Sequence, residues 1–146
     1  MDNSKTEDKY SLDRFLSAQE DSYDTALSEL ANGYKRSHWM WYIFPQFEGL
    51  GHSSTAVYYS IKSIEEAKSY LNHPIMGARL IKCTETVVNL SGKSLNNIFG
   101  YPDNLKFCSS MTLFEYVSPK VSIFSQAIEQ CCSGKREIHT LNLIEL

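Results

Sequence analysis

Two stretches of this chain concentrate the residue types that can bind or transform a small molecule. The first runs Lys35-Arg36-Ser37-His38-Trp39-Met40-Trp41-Tyr42-Ile43-Phe44-Pro45-Gln46 and continues to Gly49-Leu50-Gly51-His52-Ser53-Ser54-Thr55. It carries both tryptophans of the sequence. His38, Trp39 and Trp41, with Lys35 and Gln46, are suited to a pocket in which a flat ring stacks on indole. Stacking of that kind contributes about 1–3 kcal/mol per base. The plainer use of two indoles is as core, each N–H satisfied by a protein acceptor. Alternation would send Trp39 and Trp41 to one side and His38, Met40 and Tyr42 to the other.

Gly49, Gly51 and Ser53 precede a helical pattern. Glycines let the backbone turn, and successive N–H groups ahead of a helix attract anions such as phosphate. No Gly-Lys-Ser/Thr follows and the spacing is not GxGxxG, so neither nucleotide motif is present. A tight turn and a Ser/Thr cap would look the same. The second stretch holds Lys106, Ser109, Ser110 and Thr112. On a helix, Lys106 shares a face with the serines three and four positions on. A buried lysine that lost its charge could activate a serine; the simpler use of the face is to hold phosphate or carboxylate. The histidines His38, His52, His73 and His139 are scattered without metal-ligand spacing, so no metal or cofactor is implied. His73, before Pro74, reads as part of a helix junction. Glu20-Asp21 and Glu65-Glu66 fit caps and solvated faces.

These residues must be positioned by helices. Leu12, Phe15 and Leu16 recur at helical spacing behind Ser11, a candidate cap, and Tyr23, Ala26, Leu27 and Leu30 continue the pattern to a stop at Asn32-Gly33. Periodicity then lapses through the Trp/Gly-rich stretch, which reads as a bent, partly buried connection. Ser63 with Glu66 forms a capping box, and Asn72-His73-Pro74 breaks that helix, with Pro74 opening the next. Ile75, Leu80, Cys83, Thr84, Val87 and Leu90 form one stripe. A short turn over Leu95 to Phe99 precedes a helix capped by Asp103, and Ser122 opens another that Gly134 stops. The apolar ending, Thr140 to Leu146, docks on the body. The reading is a single all-α domain of about six to eight helices over residues 11–146, behind a flexible tail over 1–10, with one irregular aromatic loop.

A chain of 146 residues, 42% hydrophobic and 21% charged, can bury roughly two-thirds of its unfolded surface as one domain. A net charge of -3 argues against a nucleic-acid partner. There is no apolar leader and no membrane-length apolar run. Cys83, Cys108, Cys131 and Cys132 include no CxxC pair, and read as thiols packed as small hydrophobes in a reducing, cytoplasmic setting.

At the level of motif, Asp13-Arg14-Phe15 with Gln19 and Tyr23, the Lys35–Gln46 block, and Gly49-Leu50-Gly51-His52-Ser53 resemble the bacterial family catalogued as domain of unknown function 1810. So do Tyr70-Leu71-Asn72-His73-Pro74, Gly77-Ala78-Arg79-Leu80, Asp103-Asn104-Leu105-Lys106 and Ser109-Ser110-Met111-Thr112-Leu113-Phe114. The resemblance covers nearly the whole chain and implies a compact all-α fold, with no activity attached. Members are often labelled calpastatin, but nothing here resembles an extended inhibitor.

Two functions fit the residues. One is binding, with hydrolysis left open, of a nucleotide-like or phosphate-bearing molecule of the ADP-ribose type. Lys35, His38, Trp39, Trp41 and Gln46 would take the ring; Gly49, Gly51, Ser53, Lys106, Ser109, Ser110 and Thr112 would take the anion. The other is a non-enzymatic protein-interaction module that uses an exposed Trp-rich loop. Neither reading fixes an oligomeric state.

Overall fold

The computed structural model describes residues 8–90, 92–119 and 121–145; most of the expected tail, 1–7, lies outside them. Nine helices and no strand are found among the described residues. The first, α1 (Asp13–Ala31), is one continuous helix through both of its apolar patterns. Ser11 does not cap it. Ser11 sits at φ 55, and the orphan N–H groups of Leu12 and Asp13 go instead to the Asp8 carboxylate at 2.7 and 2.8 Å. Gly33 ends α1 as expected, with φ +75 and the Tyr34 N–H closing back on the Glu29 carbonyl.

The irregular stretch contains α2 (Met40–Ile43) and α3 (Ser54–Tyr58), and an isolated bridge pairs Phe47, between them, with Ile61, after α3. The capping box ahead of α4 (Ile64–Asn72) forms in one direction only: Ser63 Oγ accepts from Glu66 N. The Glu66 carboxylate takes Lys62 N and Arg14 instead. Arg14 also donates to the carbonyls of Tyr58 and Ser60, so one guanidinium ties the start of α1 to the α3–α4 connection.

At the next junction His73 Nδ1 accepts from Ile75 N and Met76 N, opening α5 (Met76–Val88) two residues beyond Pro74. A Cβ on Gly77 would lie 1.9 Å from the Leu71 carbonyl oxygen, so only glycine allows this close turn. Leu80, Cys83, Thr84 and Val87 are buried as the stripe predicted, whereas Ile75 is exposed.

The short α6 (Leu95–Phe99) leads into α7 (Asp103–Tyr116), which packs on α8 (Ile123–Cys131); α9 (Ile138–Ile144) closes the chain. Ser122 caps α8. Asp103 does not cap α7 but lies in its first turn. Among the described residues no helix is long and apolar enough to cross a membrane.

The cysteines do not all remain thiols. Cys108 on α7 and Cys132 just past α8 are joined by a disulfide with Cα atoms 6.0 Å apart, leaving Cys83 and Cys131 free. The sequence reading missed this pair because 24 residues separate its partners; only the antiparallel packing of α7 and α8 brings them together. Under denaturing, non-reducing conditions thiol titration should count two free thiols, and four after reduction. Four before reduction would contradict the bridge. Cys132→Ser should cost about 3 kcal/mol by the chain-entropy argument, roughly 10 °C in Tm.

Candidate functional site

The site begins with the burial of Trp39. Its indole is 1% exposed and meets Phe44 and Phe99 at centroid distances of 6.4 Å, with Phe107 against both phenylalanines. This aromatic cluster joins α2, α6 and α7. The indole N–H donates to Glu29 Oε1 at 2.9 Å. The same carboxylate accepts from Arg36 N, Ser37 N and Ser37 Oγ. Burial alone would raise the Glu29 pKa, but the hydrogen bonds from Ser37, Arg36 and Trp39 overcome it and bring the pKa down to about 2.

Alternation does not hold here. Met40–Ile43 is a helical turn, so Trp39, Met40, Ile43 and Phe44 face inward while Trp41 and Tyr42 are half-buried and His38 is exposed. The turn is held from beneath. Gln19, 1% exposed, donates to the Tyr42 carbonyl and the Tyr70 hydroxyl at 2.7 and 2.8 Å, and accepts from Arg79. Burial keeps the Tyr70 hydroxyl protonated far above the usual phenol range.

Several of the candidate residues converge. Lys35 Nζ lies 2.9 Å from Asp103 Oδ2 and 5.2 Å from the centre of the Trp39 ring. Lys106 Nζ lies 3.6 Å from Asp103 Oδ1 and 5.8 Å from the centre of the Trp41 ring. His38 stacks obliquely at 6.5 Å from Trp41. Lys35, His38, Trp39, Trp41 and Lys106 therefore form one region, with Trp39 as its floor. Lys35 has the more deeply buried side chain (8% exposed, against 29% for Lys106). Gln46 and Gly51 adjoin Trp41 from its other side, where they line a slot of about 10 Å³, room for about one water.

The remaining candidates lie elsewhere. Gly49 backs onto Leu143 of α9. Ser53 caps α3 through Ala56 N, and a helix of 5 residues has little dipole with which to hold an anion. Ser109 donates to the Leu105 carbonyl and lies 3.4 Å from Glu137 Oε1. Thr112 Oγ1 accepts from Glu137 N and donates to the Cys108 carbonyl. Both side chains thus serve the junction with α9. Ser110 is fully buried, and its hydroxyl has no partner. No hydroxyl of this trio is paired with Lys106, so no lysine–serine dyad forms. Among the described residues no group of three or more His, Cys, Asp or Glu is gathered as a metal site.

A family model described as "Protein of unknown function (DUF1810)" matches residues 9–144. The chain belongs to this family. Its fold matches the crystal structure of the conserved hypothetical protein Rv1873 from Mycobacterium tuberculosis, with a TM-score of 0.93 and 43% sequence identity over 95% of this chain and 99% of that one. No curated protein matches the chain. Several residues of the family-like motifs have structural roles here: Gln19, Tyr70 and Arg79 hold the turn at Tyr42, Arg14 ties α1 to the α3–α4 connection, and Gly77 allows the α4–α5 turn.

Sequence reasoning missed Glu29 and the pairing role of Asp103. Glu29 sits inside a helix and reaches partners seven to ten residues on, a range no local pattern reveals. Asp103, by contrast, stood at a visible i,i+3 spacing from Lys106.

Two predictions follow from these contacts. The folded pKa of Glu29 lies below its ordinary 4.5, so its contribution is complete above that pH and is lost as pH falls toward 2. Glu29→Gln should cost roughly 1–3 kcal/mol near neutrality and flatten the loss of stability between pH 5 and 2.5 in thermal melts; an unchanged acid limb would contradict the anchor. Ser110→Ala removes a buried hydroxyl without a partner, whose desolvation costs about 1–3 kcal/mol. Tm should hold or rise, and a clear fall would mean that the hydroxyl is satisfied.

Proposed function

We propose that the protein binds a small ring-bearing anion, of the nucleotide or sugar-phosphate class, at the face formed by His38, Trp41 and Lys106, with Lys35 and Asp103 behind them. One observation carries this reading. Two lysines from distant parts of the chain share one carboxylate, at 2.9 and 3.6 Å, and one of them stands beside a half-buried indole. Two ammonium groups against one carboxylate leave an excess positive charge, which a phosphate would neutralise. Lys106 is the more exposed of the two and able to turn outward, while Lys35 stays paired and keeps Asp103 in place.

A ring laid on Trp41 gains stacking of roughly 1–3 kcal/mol, and His38 borders the same ring. ADP-ribose supplies both a purine and a diphosphate, and so matches both halves of the face. The slot that Trp41 lines is too narrow for such a ligand, which on this reading lies on the surface. The proposal is one of binding, and no catalytic residue is assigned. It keeps the bacterial, cytoplasmic setting read from the sequence, in which such metabolites abound. The Cys108–Cys132 bridge sits least easily with that setting.

A thermal-shift panel of ADP, ADP-ribose, NAD, sugar phosphates and polyphosphate tests the reading. A ligand at a hundred times its Kd stabilises by about 2.7 kcal/mol, several degrees at this size. Lys106→Ala should melt within a degree or two of the parent without ligand and lose most of the ligand shift. A flat panel, or an equal shift in the variant, would remove this face as the site.

A further inference from the structure

Away from Trp41, a cleft of about 560 Å³ opens between the first turn of the described chain, the start of α1 and the α4–α5 junction. Its volume falls within the range of small-molecule pockets. Leu12 and Leu16, both half-buried, supply an apolar wall with the buried Met76 behind them, on which a hydrocarbon or aromatic body would be removed from water. Two features make its polar rim specific.

The first is His73. Its Nδ1 accepts from two backbone N–H groups, Ile75 at 3.1 Å and Met76 at 3.2 Å. A neutral ring used in this way carries its proton on Nε2. Nε2–H is then a donor held in a fixed ring, with no acceptor among the described residues. The second is the pair of carboxylates, Asp8 and Asp13, both lining the cleft. Each already accepts hydrogen bonds, Asp8 from Leu12 N and Asp13 N, and Asp13 from Ser17 Oγ. These bonds fix their positions and leave lone pairs for a ligand. Lys9 also lines the cleft, with its ammonium 5.6 Å from the centre of the Tyr10 ring, so the rim is acidic by one charge.

We infer that this cleft is a second binding site, which takes a small amine with an apolar body and an oxygen acceptor. The ammonium pairs with Asp8 and Asp13, the body covers Leu12 and Leu16, and the oxygen accepts from His73 Nε2–H. Its ligand class is opposite in charge to the anion proposed at Trp41, so the two sites are separable in one experiment.

The test is an NMR titration of the full chain, reading backbone amides and indole N–H signals, with four probes that share a phenyl ring. 2-Amino-1-phenylethanol has both the charge and the oxygen. 2-Phenylethylamine lacks the oxygen, 1-phenylethane-1,2-diol lacks the charge, and mandelate reverses it. The amino alcohol should bind tightest and shift Leu12, Leu16, His73 and Met76 while leaving the Trp41 indole unmoved. Asp13→Asn, which keeps the Ser17 contact, should weaken it about fivefold, the upper range for a partly exposed charge pair. Leu16→Trp, which fills the cleft from its own wall, should abolish the localised shifts while the remaining spectrum stays dispersed. Equal binding of the diol, shifts scattered away from the cleft, or no shift at tens of millimolar probe would each overturn the inference.

Discussion

The Glu29 carboxylate is the contact on which the proposed site depends. It gathers two backbone N–H groups, a serine hydroxyl and an indole N–H from residues 36–39. A stretch with no helical period of its own is thereby pinned against the end of α1. Burying a tryptophan leaves a polar N–H that must be satisfied, and Glu29 meets that need while drawing the preceding loop inward. Once Trp39 is in place among Phe44, Phe99 and Phe107, the helical turn after it sets Trp41 half-outward. Lys35 is set above the buried ring, within reach of Asp103 on α7.

A second polar group performs the matching task on the other side of α2. Gln19 and Tyr70 both bond the Tyr42 carbonyl, and Arg79 holds Gln19 in turn. The aromatic stretch is thus fixed at its entry by an acid and at its exit by an amide, each on α1. Aromatic packing alone would not specify that geometry, because apolar surfaces slide; fully satisfied buried hydrogen bonds do.

The all-α architecture was legible from spacing. The stop at Gly33, the Ser63 and Ser122 caps and the buried Leu80, Cys83, Thr84 and Val87 of α5 are all local and appear as read, while the reciprocal half of the Ser63 capping box and the burial of Ile75 do not. What escaped was long-range or dual in purpose. Asp8 takes over capping from Ser11 because its carboxylate reaches two N–H groups at once. Asp103, a natural cap by type, is used as an ion partner because Lys35 arrives from elsewhere in the chain. Cys108 and Cys132 meet only through helix packing. Of the candidate site, the aromatic stretch and Lys106 do come together. Ser109 shares the Lys106 face by helical spacing, yet its hydroxyl, like that of Thr112, is claimed by the junction with α9, which spacing along α7 cannot reveal.

The central claim is that Trp39 is structural while Trp41 is the residue that meets ligand. Indole N–H signals of the uniformly labelled protein, followed by NMR during titration with ADP-ribose, test this most directly, because the chain has 2 tryptophans and gives one signal for each. The account predicts that the Trp41 signal moves in a saturable way, while the Trp39 signal, hydrogen-bonded to Glu29, stays in place. Movement of Trp39 with Trp41 unaffected, or no movement of either at saturating concentrations for a typical metabolite site, would contradict it.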